Sequence, residues 1–273
     1  TTEKRGGDKM SSGQVLGSLV RVGLRHGDLA AARNQSEALL LLARQTGSRS
    51  LQAWGLQELG RVQRNAGDLP AAHASFASSL RESTAIGDEL RSWVTRLEVA
   101  RLELSAGRTA DAIALSQAAA SWFAERGISG MQAQALGVNA EALLRDGRLA
   151  EAREAAELLR SIVRSSQDRE LTTSTASTLG RVDAAAGRMD QADRDLRAAI
   201  VEAEQSGLLL ASFEARLVLA EIERGGDRRA QAFRDLRRDA EARGLGDLVR
   251  RAAAAEQDRP LAPRVNIREE VKG

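Results

Sequence analysis

The run Gly27-Asp28-Leu29-Ala30-Ala31-Ala32 returns 40 residues later as Gly67-Asp68-Leu69-Pro70-Ala71-Ala72. The same spacing brings further glycines, each followed by a similar run: Gly107, Gly147 and Gly187, with a degenerate sixth copy at Gly226. A second series lies about halfway between them: Gly47, Gly87, Gly127, Gly207 and Gly244, with Gln167 in the slot that lacks a glycine. A fixed period of this length predicts a repeat protein whose units are small supersecondary structures.

The segments between the glycines indicate what each unit contains. They are 18 to 20 residues long and rich in Ala, Leu, Arg, Glu and Gln, which favour helix, whereas β-branched and aromatic residues are sparse. Glycine supplies the left-handed conformation that ends a helix. An Asp or Thr after the glycine can cap the next helix, and Pro70 suits a first helical turn. Each unit is therefore predicted to be a helical hairpin, and stacked hairpins share one continuous core.

The apolar spacing in the second unit agrees with two amphipathic helices. The first helix carries Leu56, Leu59 and Val62, and the second carries Leu69, Ala72, Phe76 and Leu80. Both sets follow three-and-four spacing. Small residues recur before the turn glycine at Gly60, Ala100, Ala140, Gly180 and Ala220, and after it at Ala32, Ala72, Ala112, Ala152 and Ala192. They should let two helices approach closely.

Two stretches carry a resemblance to a known family. The sets Leu59-Gly60, Gly67, Ala72, Phe76 and Leu179-Gly180, Gly187, Ala192, Leu196 resemble the tetratricopeptide (TPR) signature, and the likeness covers roughly residues 11 to 245. The period is 40 rather than the usual length of about 34. The usual first-helix aromatic is Gln63 or Asp183 here, and the closing proline is absent. The departures are similar to the longer TPR-like repeats of bacterial signalling proteins, associated with Ser/Thr kinases or transcriptional regulators.

The resemblance implies an all-α, right-handed α-solenoid of about six antiparallel helix hairpins plus a C-terminal capping helix. We expect a flexible tail over 1–10, a single solenoid over 11–257 and a second tail over 258–273. The predicted hairpins are 11–47, 48–87, 88–127, 128–167, 168–207 and 208–244, followed by a cap over 245–257.

Composition and motifs exclude several classes of function. The net charge of +2 does not favour nucleic acid as a direct partner. The longest apolar run, residues 38–43, is far too short to span a membrane. We find no phosphate-binding loop or nucleophile elbow, and His26 and His73 lack ligand partners at metal spacing. The sequence therefore predicts no enzyme, no cofactor and no metal. The absence of cysteine fits a reducing compartment, and we expect a cytoplasmic protein.

One column of side chains is a candidate binding site. Arg21, Arg61, Arg101 and Arg181 share one position in the first helices, where the fourth and sixth units carry Glu141 and Glu221. Arg64 and Arg145 lie about one turn further on, and Trp54 lies two turns before Arg61. The resemblance implies that first helices line a concave groove, where arginine would suit carboxylates, phosphates or an acidic peptide. Alternatively, the arginines form salt bridges with neighbouring helices, and Trp54 is a packing residue.

Two function hypotheses follow from these features. The first is a protein–protein interaction scaffold that binds a peptide or partner domain through the concave groove. The second is a regulatory or sensor module of a larger bacterial signalling protein with a kinase or DNA-binding domain. The chain starts with threonine rather than methionine, so we expect a piece of a longer protein.

Overall fold

The computed structural model describes the backbone of residues 2–257 and the side chains of residues 11–257. That part of the chain contains thirteen α-helices and no strand. They are α1 (Thr2–Arg25), α2 (Leu29–Thr46), α3 (Arg49–Asn65), α4 (Leu69–Ala85), α5 (Glu89–Ser105), α6 (Thr109–Glu125), α7 (Ser129–Arg145), α8 (Leu149–Ser165), α9 (Arg169–Ala185), α10 (Met189–Gln205), α11 (Leu209–Ile222), α12 (Gly226–Glu241) and α13 (Gly246–Gln257). Six successive pairs form hairpins and α13 follows them, so the predicted all-α solenoid is confirmed.

The turns between helices follow the glycine pattern. At the end of α2, Gly47 has φ 64°, and the N–H of Ser48 donates back to the carbonyl of Ala43 at 3.1 Å. This left-handed closure satisfies carbonyls that the helix end would otherwise leave unpaired. Where Gln167 replaces glycine, α8 instead ends at Ser166 in an extended conformation, φ −93° and ψ 142°. The link to α9 therefore makes the turn without a positive φ.

Aspartate side chains cap several helices. The carboxylates of Asp28, Asp68, Asp88 and Asp168 accept backbone N–H bonds from the first turns of α2, α4, α5 and α9. The prediction of a cap was correct for the aspartates. It was wrong for Thr109, because the N-cap of α6 is Arg108, whose side chain makes no capping bond. A missing cap costs about 1 kcal/mol, which the packing of α6 against α5 and α7 must offset.

The small residues of the first helices allow close packing within a hairpin. A Cβ atom on Gly60 would lie 2.6 Å from the ring of Phe76, and one on Gly180 would lie 2.8 Å from Leu196. Ala100 and Ala140 hold the same position in other units and are fully buried. The second helix of each hairpin therefore rests directly on the backbone of the first.

One apolar position, repeated in the first helices, shows how packing between hairpins buries side chains. Val62, Leu102 and Val182 occupy one position in the first helices and are at most 1% exposed. Val22, the equivalent residue of α1, is 43% exposed. Within the described residues no hairpin precedes α1, so this end of the stack keeps an apolar surface that later units bury.

The two chain ends differ from expectation in one respect. The backbone is helical from Thr2, whereas a tail was expected over 1–10. No proline interrupts these residues, so nothing prevents α1 from extending backward. The tail predicted over 258–273 lies outside the described residues.

The two ends of the solenoid meet. The last turns of α1 and α3 contact the first turns of α11 and α13, a contact that we call the seam. A Cβ atom on Gly246 would lie only 2.3 Å from the carbonyl oxygen of Ala66, and one on Gly207 would lie 2.8 Å from the ring of His26. Only glycine permits approaches this close. The superhelix therefore makes one full turn and closes edge to edge.

Apolar side chains from both sides of the seam pack together and are buried. Val20, Leu24 and Val62 belong to one continuous cluster with Leu245 and Leu248. All five are at most 3% exposed. Helix polarity also favours the contact, because carbonyl ends of α1 and α3 face amide ends of α11 and α13. The seam is thus lined from both of its sides by nearly fully buried apolar side chains.

Candidate functional site: the central cavity

The superhelix encloses a cavity of about 700 Å³. Every residue that lines it belongs to a first helix, to the N-cap of a first helix, or to α13. Second helices contribute none of the described lining, because they pack on the outside of the first helices. First helices therefore line the inner, concave surface as expected, and this surface surrounds a central cavity instead of forming a groove that is open along its side.

The structure places six of the seven predicted binding residues on the wall of this cavity. They are Arg21, Trp54, Arg61, Arg64, Arg101 and Arg145. Arg181 is 6% exposed, does not line the cavity and forms ion pairs instead. Both interpretations of the arginine column therefore hold together. Arg181 only pairs with its neighbours, whereas Arg61, Arg64 and Arg145 form ion pairs and also line the cavity.

Trp54 packs against a neighbouring helix and also lines the cavity. Its ring fills the space above Gly17, where a Cβ atom would come within 2.0 Å of it. The indole Nε1 donates to Glu58 Oε1 at 3.1 Å, and the Arg91 guanidinium lies 5.3 Å from the ring centroid. Since packing and hydrogen bonds hold the ring in one place, it presents a fixed aromatic edge to the cavity.

On the wall made by α3 and α5, three arginines surround one buried carboxylate. Glu98 lies 3.5 Å from Arg61 Nε and 3.4 Å from Arg64 Nη2. Burial would raise the pKa of Glu98, but the charges of Arg101, Arg61 and Arg64 outweigh burial and lower it. Arg61 also pairs with Glu58 at 3.1 Å. Glu98 is therefore ionised, and several cations share it.

This wall, which we call the arginine wall, keeps unused hydrogen-bond donors. The Nε atoms of Arg61, Arg64, Arg91 and Arg101 are buried and make no well-aligned hydrogen bond to a described residue, and neither does Glu98 Oε2. Arg61 Nε and Arg91 Nε nevertheless lie 3.5 Å and 3.3 Å from carboxylate oxygens of Glu98 and Asp88. Burial, together with repulsion from Arg64 and Arg61, lowers the pKa of Arg101, and burial lowers that of Arg91. A lowered pKa means that the surroundings do not fully compensate the cation. Arg91 and Arg101 are thus short of negative charge, whereas at Arg61 burial is outweighed by the charges of Glu58 and Glu98, which raise the pKa.

The opposite part of the interior has the reverse balance. Arg181 binds Glu221 at 2.8 Å and Glu141 at 3.1 Å. Burial would raise the pKa of Glu141, but Arg181, Arg145 and Arg251 hold it at about 2. Burial likewise opposes charge on Arg181 and Arg251, yet carboxylates raise the pKa of both. Cations here are fully compensated, so the incompletely compensated cations of the cavity, Arg91 and Arg101, both lie on the arginine wall.

Eight arginines and eight carboxylates line the whole cavity, which is neutral in total. One ion pair, between Arg25 and Glu170, spans the interior from α1 to α9, with Nε to Oε1 at 2.7 Å. Each member also compensates its own helix end, because Arg25 is in the last turn of α1 and Glu170 in the first turn of α9. Positive and negative side chains therefore both line the cavity, and the wall as a whole does not carry charge of one sign.

The interior offers little to catalysis or metal binding. In the part of the chain with described side chains, no group of three His, Cys, Asp or Glu residues could hold a metal ion. Glu98 and Glu141, the most perturbed carboxylates of the lining, have lowered pKa values and would be poor general bases near neutral pH. No helix between residues 2 and 257 has the length and apolarity to cross a membrane.

Sequence reasoning missed Arg91, Arg251, Glu98 and Glu170. One signal was available: Glu58 and Glu98 stand three residues before Arg61 and Arg101, a spacing that brings side chains together on a helix. Arg251 and Glu170 join the cavity only because the superhelix closes, and no local pattern predicts that.

Comparison with known proteins supports the fold. No protein-family model matches the chain, and no curated protein matches it in sequence. Among solved structures, a kinesin light chain from Podosopora anserina with nearly identical TPR-like repeats is similar, with a TM-score of 0.51. The sequences are 17% identical, and the match covers 71% of this chain and 95% of that one. The chain therefore has a TPR-like helical-repeat fold.

Proposed function

We propose that the protein is an interaction scaffold that binds an acidic peptide segment, or a partner's terminal segment, in the central cavity. The observation that supports this most is the arginine wall. Its four buried Nε donors make no well-aligned hydrogen bond to the described residues, that of Arg101 has no carboxylate of these residues within ion-pair distance, and the cations of Arg91 and Arg101 are incompletely compensated. Unused buried donors are costly, and a carboxylate from a ligand would satisfy them with charge-assisted hydrogen bonds.

The size and surface of the cavity fit a short peptide better than a single small ion. About 700 Å³ lies within the range of specific ligand pockets. The lining combines Trp54, the apolar side chains of Val94 and Met131, and separated charges. A peptide could place a carboxylate against the arginine wall and an apolar side chain against Trp54, while its backbone bonds to Gln57 and Gln134.

The seven predicted residues take different parts in this proposal. Arg61, Arg64 and Arg101 would bind the carboxylate directly. Trp54 would contact an apolar side chain, and Arg21 and Arg145, which are more exposed, would make outer contacts. Arg181 would act by positioning Glu141 and Glu221. No catalytic role is proposed.

Selection from a library of displayed acidic peptides, followed by fluorescence anisotropy, tests the proposal. Arg101→Gln should weaken a selected peptide about tenfold or more, because a charge-assisted hydrogen bond contributes about 1.5–3 kcal/mol. Arg153→Gln is the matched control, since Arg153 is exposed on the outer helix α8. Equal loss in both variants, or no selectable peptide, would contradict the proposal.

A second proposal is a cytoplasmic regulatory module of a larger bacterial signalling protein. It is favoured by the seam, because residues from near both chain ends, Leu24 and Asp247, line the same cavity. A ligand that touches both sides would stabilise their contact. Fluorescent labels across the seam should then report reduced mobility when a selected peptide binds, and unchanged mobility would argue against regulation.

A further inference from the structure

We infer that the ligand enters the cavity through an open end of the superhelix and not through its side, so the partner must supply a free chain terminus. This rests on the proposed function and specifies the partner further. A loop inside a folded protein, or a linker between two domains, would have to enter and leave by the same end, which would place two strands side by side in a cavity of about 700 Å³, so the closed side wall and the cavity size together disfavour both. The inference follows from the seam, which closes the side wall that an incomplete superhelical turn would leave open.

The seam is part of the wall of the cavity itself. Leu24, Arg25 and Asn65 line the cavity from the side of α1 and α3. Leu208, Asp247 and Arg251 line it from the side of α11 and α13. These two sets face each other across the seam, so a segment passing sideways into the cavity would have to separate them.

Separation would break several kinds of contact at once. Leu24, Leu245 and Leu248 are nearly fully buried in the same apolar cluster. Beneath them, Gly246 is packed so closely on Ala66 that even a methyl group has no room. A chain segment is much wider than a methyl group. The seam therefore has no gap through which a peptide could pass unless its two sides separate.

On the inner side, ion pairs reinforce the closure. Arg25 and Glu170 join α1 to α9, and Arg251 binds Glu214 at 2.7 Å while lying 3.5 Å from Asp247. The pair of Arg251 and Glu214 ties α13 to α11, the two helices that form one side of the seam. Opening the seam would expose the apolar cluster and would strain the half-exposed pair of Arg25 and Glu170 that joins α1 to α9, which makes lateral entry unfavourable.

The absence of cysteine from the whole sequence allows a clean test. His26 and Arg243 are exposed on opposite sides of the seam, with Arg243 Nη1 3.5 Å from the carbonyl oxygen of His26. The double variant His26→Cys/Arg243→Cys, treated with a short bismaleimide, locks the seam. Arg153→Cys/Glu157→Cys, treated in the same way, is the matched control, because both residues are exposed on α8 and do not touch the seam.

The probe is a peptide selected from the displayed acidic library, presented in three ways by a small folded carrier domain. It is fused after the carrier, before the carrier, or between two carriers with flexible spacers on both sides. We expect at least one single-carrier fusion to bind the locked and control proteins equally. We expect the fusion between two carriers to bind about tenfold or more weakly.

Three outcomes overturn the inference. Equal binding by the fusion between two carriers would show lateral entry or entry as a hairpin, and either would mean that no free terminus is needed. Loss of all binding in the locked protein, with the control unaffected, would show that the seam must open. If selection yields no peptide that Arg101→Gln weakens, the proposed function itself fails and the inference fails with it, whereas the first two outcomes leave the proposed function intact.

Discussion

Replacing Gly246 with alanine tests whether the seam is a specific contact. The added Cβ atom would lie 2.3 Å from the carbonyl oxygen of Ala66, and such contacts are essentially never shorter than 3.0 Å, so α13 must move by about 0.7 Å. A gap of that size costs contacting atoms about a quarter to a half of their attraction. Leu24, Leu245 and Leu248 are nearly fully buried there, and each contributes about 1.5–3 kcal/mol. We therefore expect a loss of about 1–4 kcal/mol.

Urea denaturation followed by circular dichroism measures the free energy of unfolding, and hydrogen exchange of the α13 amides reports whether the loss is local. Gly130→Ala is the control, because Gly130 lies in the first turn of α7 and its Cβ would meet nothing within 4 Å. It should be neutral or stabilising by up to about 1 kcal/mol. If Gly246→Ala left both the unfolding midpoint and the protection of α13 unchanged, the seam described above would not exist in solution.

Three further predictions concern packing and buried charge. Val182→Ala should lower the free energy of unfolding by about 2 kcal/mol, because it removes two buried methyl groups and leaves a gap. Val22→Ala should lower it by less than about 0.5 kcal/mol, since Val22 is 43% exposed whereas Val182 is buried. Urea denaturation compares the two variants, and equal losses would contradict the assignment of both residues to one position of the repeat. Folding lowers the pKa of Glu141 from 4.5 to about 2, so its stabilisation, on the order of 3 kcal/mol, is present above about pH 4.5 and is lost as the pH falls toward 2. Denaturation at several pH values should show this loss, and Glu141→Gln should flatten it. Arg181→Met leaves the carboxylates of Glu141 and Glu221 without their shared partner and should cost about 3–5 kcal/mol; a neutral effect in thermal denaturation would show that these charges are not paired as described.

Much of the fold was predictable because it depends on local rules that repeat. The glycine at Gly47 ends α2, and the side chain of Asp68 begins α4, through contacts within a few residues. The small residue at Gly60 and the ring of Phe76 pack inside one hairpin, and the period itself reports where each such hairpin lies. Errors arose where local rules compete: Thr109 does not cap α6, and the backbone at Thr2 continues α1.

The candidate site was predictable only in part. Periodicity placed Arg61 and Arg101 on first helices and so on the inner surface. It could not distinguish them from Arg181, which occupies the same column but lies between Glu141 and Glu221 from neighbouring first helices. Whether an arginine of this column is fully paired depends on which residues of the neighbouring units lie beside it in the folded structure.

The sequence by itself determined the helices, their order and the surface that faces inward, because a 40-residue period acts through contacts inside each hairpin and between adjacent hairpins. Only the tertiary structure decided that the superhelix closes and brings Gly246 onto Ala66 and Arg25 onto Glu170. The physical reason is that closure depends on the small rotation between successive hairpins. That rotation accumulates over the whole stack, so residues that lie roughly four to five repeats apart in the sequence meet, and no local pattern encodes their meeting.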